Sequence, residues 1–156
     1  GGGVQLRPAG AIVSEELVDI LLVEDSATDG ELTQRALRKA GLGAQVVWVK
    51  DGQEAMDFLF GEGAYAGRSL RPRVVLLDLK LPRVDGLEVL RRLKSDPIRR
   101  MIPVVMLTSS NQERDVRACY AQGVNSYLVK PVEFAKLVEQ VVSAGLYWLR
   151  SNHAPA

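Results

Sequence analysis

The chain has 156 residues, enough for one domain with a covered core and too few for two comfortable ones. Twenty basic residues against nineteen acidic ones leave a net charge of +1, so nothing in the overall field favours a nucleic acid or another polyanion as partner. A lone cysteine, Cys119, excludes an internal disulfide, and no apolar run approaches the roughly 18 residues of a membrane span, so a cytoplasmic protein without a membrane partner is expected.

Gly1 to Gly10 lacks the basic-then-apolar pattern of a secretory signal. Residues 1–17 are expected to form a flexible tail, 18–150 one domain and 151–156 a second short tail. From there, short branched apolar runs alternate with amphipathic stretches, the pattern of a parallel sheet covered by helices. Ile20-Leu21-Leu22-Val23 reads as the first strand and ends in Glu24-Asp25-Ser26, where Ser26 or Asp25 can cap a helix turning Leu32, Ala36 and Leu37 inward until Gly41. Val46 to Val49 gives the second strand, followed by an Asp51-Gly52 turn and a helix with Ala55, Met56, Leu59 and Phe60. After a glycine-rich loop, Val74-Val75-Leu76-Leu77 is apolar on both faces, as a central strand should be, and runs straight into Asp78. Leu81-Pro82 and Asp85-Gly86 signal turns, and Leu87, Leu90 and Leu93 set a helix that stops near Asp96-Pro97. Val104 to Leu107 makes the fourth strand, closed by Thr108. A helix from about Gln112 to Gln122 ends at Gly123, a short strand at Ser126 to Val129 leads to Lys130-Pro131, and a last helix spans Val132 to Leu149.

Right-handed crossovers point consecutive parallel strands the same way, so their carboxyl ends share one edge. Glu24-Asp25, Asp78, Thr108 and Lys130 each sit where an apolar strand ends and are expected to meet in the crevice where open α/β sheets bind ligands. Three carboxylates brought together repel each other unless a cation joins them. The donors are all oxygens, which favours magnesium or manganese over zinc. Magnesium bridging Asp25, Asp78 and a phosphoryl oxygen, with Lys130 and Thr108 complementing the equatorial oxygens, makes Asp78 the natural nucleophile for an acyl phosphate.

Leu22-Val23-Glu24-Asp25, Leu76 to Pro82 with Asp85-Gly86, Leu107-Thr108-Ser109-Ser110 and Tyr127-Leu128-Val129-Lys130-Pro131 together resemble the response-regulator receiver domain of two-component systems, from Ile20 through the final helix. The resemblance implies a flavodoxin-like, doubly wound α/β fold: a five-stranded parallel sheet in the order 2-1-3-4-5 with five helices. It implies phosphorylation of Asp78 by a sensor histidine kinase, and Mg2+, or Mn2+ in its place, held by Asp25, Asp78 and the backbone carbonyl of Lys80. It also implies a water-mediated role for Glu24, a Thr108–Tyr127 switch pair, a cis Lys130-Pro131 bond, and an output face on the fourth helix, fifth strand and fifth helix. Lys80 and Ser110 stand where this family influences attack of water on the acyl phosphate. Asp51 to Leu59, the long loop after it and Gly145 to Leu149 resemble the small stand-alone receivers that serve phytochrome-type histidine kinases, which makes a bacterial phytochrome the expected partner. No output module is expected after the last helix, and Tyr147 and Trp148 suit a homodimer surface.

Blander readings exist for each residue alone. Glu24-Asp25 can be a solvated helix start, Thr108 a strand-end cap and Lys130 a surface charge, so their joint placement carries the argument. Cys119 is expected to be an inert helical residue, and His153 has no neighbouring ligand or nucleophile in sequence. Arg68, Arg71 and Arg73 are expected to form a solvated rim in the loop, open to a kinase. Gly61 to Gly67 has its third glycine displaced from a dinucleotide loop, and no phosphate-loop pattern occurs. Of two rivals, a haloacid-dehalogenase-type phosphohydrolase needs a second aspartate where Lys80 stands. A flavodoxin-like electron carrier would set the flavin phosphate against Glu24-Asp25.

Overall fold

A computed structural model describes residues 15–42 and 44–146. The ends of both tails, Tyr147, Trp148, His153 and the last residues expected in the final helix lie outside the described residues. In chain order the elements are β1 (Glu16–Val23), α1 (Ala27–Lys39), β2 (Val46–Val49), α2 (Gly52–Phe60), β3 (Leu70–Leu77), α3 (Gly86–Ser95), β4 (Val104–Thr108), α4 (Glu113–Ala121), β5 (Ser126–Val129) and α5 (Phe134–Val141). Short 3-10 turns cover Gly63–Tyr65 and Arg99–Met101, and a π turn, Val142–Leu146, continues from α5. All strand pairs are parallel, in the order β2-β1-β3-β4-β5.

The strands alternate because both sheet faces are covered. Leu21, Val23, Val75, Leu77, Val104 and Met106 pack with Met56, Phe58, Leu90 and Leu93 beneath α2, α3 and α4. Ile20, Leu22, Val74, Leu76, Val105 and Leu107 pack on the other face with Leu37, Leu137 and Val141 of α1 and α5. Each such fully buried side chain contributes on the order of 1.5–3 kcal/mol. Cys119 joins the first cluster with no exposed surface, and burial pushes its thiol up to about 11, in keeping with an inert role. Among the described residues, no helix is long and apolar enough to cross a membrane.

Four expectations change. Both β1 and β3 begin four residues before the expected strands, pairing Glu16 with Leu70 and Leu17 with Arg71, so β1 takes in two residues expected in the tail. That extension puts Arg71 and Arg73 on a strand, and the arginines find acids instead of solvent alone: Arg68 pairs with Glu16, Arg71 with Glu15 and Arg73 with Asp19. They lie at the amino end of the sheet, on the order of 20 Å along β3 from Asp78. Leu32 is not inward; it is 57% exposed, because α1 buries the Gly30, Thr33 and Leu37 stripe. Asp51 and Asp85 are helix caps, accepting from the N–H groups of Glu54 and Leu87, with the glycines as first helical residues.

Two glycines hold the site's walls close. A Cβ on Gly86 would lie 2.1 Å from the carbonyl oxygen of Asp78, and one on Gly30 would lie 2.0 Å from the Trp48 ring. Only hydrogen at these positions lets α3 start against the Asp78 loop and lets Trp48 lie across α1.

Candidate functional site

The register of the central strands builds the site. Val23 pairs with Leu77, and Asp78 N–H donates to the Val23 carbonyl at 3.1 Å, so Glu24 and Asp78 leave adjacent strands side by side. On the other flank, Lys130 N–H donates to the Thr108 carbonyl at 2.8 Å, extending the β4–β5 ladder by one step. The Lys130-Pro131 bond is cis. The Trp48 indole N–H donates to the Glu24 carbonyl at 2.8 Å and fixes the start of the acidic loop from the edge strand.

Lys130 reaches across from β5 to three carboxylates. Its Nζ lies 2.6 Å from Glu24 Oε1, 2.9 Å from Asp29 Oδ2 and 3.1 Å from Asp78 Oδ2. Asp29 was not among the expected site residues. It stands in the first turn of α1, three residues after the Ser26 cap, where an acid has an ordinary explanation in the helix dipole. The second Glu24 oxygen accepts from Ser26 N–H at 3.1 Å, and Ser26 caps α1 through Asp29 N–H.

Burial is the largest influence on the Glu24 carboxyl and pushes it above the usual carboxylate range, with the Asp78 charge adding to the rise. The hydrogen bonds from Lys130 and Ser26 oppose it. Burial works against the Lys130 ammonium, but the Glu24 and Asp29 hydrogen bonds and the Asp78 charge outweigh it and hold its pKa above the ordinary lysine value. The cation of this site is therefore permanent across the physiological range.

Glu24, Asp25 and Asp78 each present an oxygen within 4.8 Å of the others, with Asp25 exposed and the other two buried. Four carboxylates facing one ammonium leave the pocket negative, and the all-oxygen donor set with an open, solvated side fits a hard divalent cation that keeps waters. Lys80 N–H points to Asp78 Oδ1 at 3.4 Å, while the Lys80 side chain leaves the pocket toward α4.

Thr108 is fully buried at the end of β4, and its hydroxyl accepts from Ser110 N–H at 3.3 Å. Tyr127 is half-buried and donates from its hydroxyl to the Ser110 carbonyl at 2.9 Å; burial raises its phenol pKa. Ser110 thus connects the two residues expected to act as a switch pair.

The sequence profile of the response regulator receiver domain matches residues 20–142. The chain is 46% identical over 143 residues to a protein of Methanothrix harundinacea named as a probable methanogenesis regulatory protein, FilR2, covering 91% of this chain and 90% of that one. It is 42% identical over 137 residues to response regulator Rcp1 of Synechocystis sp., covering 88% of this chain and 92% of the relative. A crystal structure of the Mn2+-bound form of response regulator Rcp1 superposes with a TM-score of 0.72 at 41% identity, covering 90% of this chain and 99% of that one. The bacteriophytochrome response regulator RtBRR gives 0.77 at 49% identity, covering 89% and 84%. The chain belongs to the response regulator receiver domain family, and its fold is the flavodoxin-like fold of that family.

Trp48 provides a reporter of this pocket. In a Trp148→Phe background, titration with Mg2+ or Mn2+ should change Trp48 emission saturably, and Asp25→Asn should raise the midpoint about tenfold or more. An emission indifferent to either ion would contradict a cation site here.

Proposed function

We propose that Asp78 is the phosphoacceptor of this receiver and that a divalent cation, Mg2+ or Mn2+, is held by Asp25, Asp78 and the Lys80 carbonyl. The observation that carries the reading is the reach of the Lys130 ammonium to Glu24, Asp29 and Asp78 from a strand at the far side of the site. With both oxygens of Glu24 engaged by Lys130 and Ser26, its part in holding the ion is through water.

A bound divalent cation supplies charge screening between the Asp78 carboxylate and the incoming phosphoryl group. Lys130 already touches the nucleophile, so it is placed to follow the charge from the carboxylate to the phosphoryl oxygens. One Asp78 oxygen attacks phosphorus, the bond from phosphorus to the donor's histidine nitrogen breaks, and its electrons leave with the imidazole, which takes a proton from solvent. Thr108, whose oxygen accepts from Ser110 N–H, has its hydroxyl proton free to donate to the new oxygens, and the loop that carries Ser110, with Tyr127 of β5 bonded to it, responds. The protein is then a phosphorylation-dependent switch acting by contact, with α4, β5 and α5 as the output face. A position two beyond the nucleophile occupied by Lys80 is unsuited to the acid step of a dehalogenase-type phosphohydrolase.

Intact mass after incubation with Mg2+ and a small acyl-phosphate donor tests this. Wild type should gain a single phosphoryl group, and Asp78→Asn or removal of the metal by a chelator should abolish it. Adduct on Asp78→Asn, or fast turnover of diverse phosphate esters, would overturn it.

The donor histidine must reach Asp78 past the rim formed by α1 and the segment after β5. There a groove of about 270 Å3, lined by Asp29, Leu32, Ala36, Lys130, Pro131 and Phe134, opens beside the site. Leu32 and Phe134 are 57% and 43% exposed, the apolar complement of a helix of the sensor kinase, with a bacterial phytochrome kinase as the proposed source. Leu32→Ser with Phe134→Ala should slow phosphotransfer from the kinase about tenfold and leave the small-donor rate unchanged; equal loss in both would count against the groove.

A homodimer through Tyr147 and Trp148 remains part of the proposal. Light scattering that found only monomer, with and without a phosphoryl mimic, would remove it.

A further inference from the structure

A second polar network lies on the rim between the phosphoacceptor and α4. The Ser110 hydroxyl donates to Asp115 Oδ2 at 2.5 Å, while Ser110 also holds Tyr127 through its carbonyl and Thr108 through its N–H. The same Asp115 oxygen lies 3.9 Å from Lys80 Nζ. One carboxylate in the first turn of α4 is thereby tied to the loop bearing Thr108 and to the cation two residues past Asp78.

The two ties differ in kind. Asp115 is 19% exposed and its bond from Ser110 is short, whereas Lys80 is 67% exposed and its ion pair with Asp115 is long. Lys80 is a mobile ammonium on a four-carbon stem whose backbone is already held beside Asp78 by its N–H. Phosphorylation replaces the single charge of the Asp78 carboxylate by about two on the phosphoryl oxygens, a net gain of about one that the proposed cation and Lys130 share. The gain on Asp78 shifts the balance for the Lys80 ammonium away from Asp115, whose charge does not change.

We propose that Asp115 is a positioning residue that competes with the phosphoryl group for Lys80, so that phosphorylation removes one of the two ties that Asp115 makes between the first turn of α4 and the rim. This rests on the reading of Asp78 as phosphoacceptor. A phosphoryl group shifts a conformational equilibrium only through contacts that differ between the two states, and the transfer of Lys80 from Asp115 to the phosphoryl oxygens is such a contact. Ser110 keeps its bond to Asp115 throughout, so α4 and the Thr108 loop move as one piece once Lys80 has left.

The test is a double-mutant cycle on the affinity for fluoroberyllate with Mg2+, a tetrahedral phosphoryl mimic, read by Trp48 emission in the Trp148→Phe background. Asp115→Asn keeps an acceptor for Ser110 and removes the charge facing Lys80. It should tighten binding of the mimic about 2- to 5-fold, the scale of one exposed ion pair. In a Lys80→Ala background the same substitution should change nothing, a result that a merely structural role for Asp115 would not give. An unchanged affinity for Asp115→Asn, or the same shift with Lys80 absent, would overturn the inference alone. A wild-type protein that does not bind the mimic, or an Asp78→Asn protein that binds it equally well, would overturn the phosphoacceptor reading and this inference with it.

Discussion

The structure depends on how one ammonium compensates carboxylates that the fold forces together. Parallel strands end on a common edge, and three apolar runs are followed there by Glu24-Asp25, Asp78 and Lys130. Neighbouring buried acids would repel each other and take up protons if left alone. Lys130 offsets that tendency by contacting Glu24, Asp29 and Asp78 at once, yet one positive charge against four carboxylates leaves the pocket short of cations. The remaining deficit suits a divalent cation, and in the proposed reaction that ion and Lys130 together would offset the repulsion between the Asp78 carboxylate and an anionic phosphoryl group.

Packing keeps that imbalance in place. Both sheet faces are sealed, by α2, α3 and α4 on one side and by α1 and α5 on the other, so the strand ends have little freedom to separate. Gly86 lets α3 begin against the Asp78 carbonyl, and Gly30 lets Trp48 cross α1 to hold the Glu24 carbonyl. The side chains that leave the pocket serve another purpose. Lys80 reaches Asp115 in the first turn of α4, Tyr127 donates to the Ser110 carbonyl, and the Ser110 hydroxyl joins the two by donating to Asp115. The start of α4 is thereby connected to the charged site through a few hydrogen bonds and one ion pair.

The five strands were legible in the sequence because buried parallel strands are written as continuous apolar runs, such as Val74 to Leu77 and Val104 to Leu107, whereas their order came from the family resemblance. The pairing of Glu16 with Leu70 was not legible, since charged and proline-containing ends such as Arg71-Pro72-Arg73 read as loop until their acids on β1 are known. The inward face of α1 was misassigned at Leu32 because its buried stripe runs through Gly30 and Thr33, residues without an apolar signature. In the site, the strand-end positions identified Glu24, Asp25, Asp78, Thr108 and Lys130. Asp29 and Asp115 were missed because each sits inside a helix's first turn, where an acid is ordinarily explained by the helix dipole, and only the fold shows what faces it. The chain also covers 90% of FilR2 and 92% of Rcp1, so it is similar to them over nearly their whole length.

The central claim is that Lys130 holds the carboxylates together until another cation does so. The most direct measurement is the unfolding free energy of Lys130→Met by urea, with and without saturating Mg2+. Without metal, the variant should be less stable than wild type by on the order of 3 kcal/mol, because Glu24 and Asp78 are left buried without a counter-charge. Added Mg2+ should recover a large part of that loss. A variant as stable as wild type in the absence of metal, or one that Mg2+ does not help, would contradict the account.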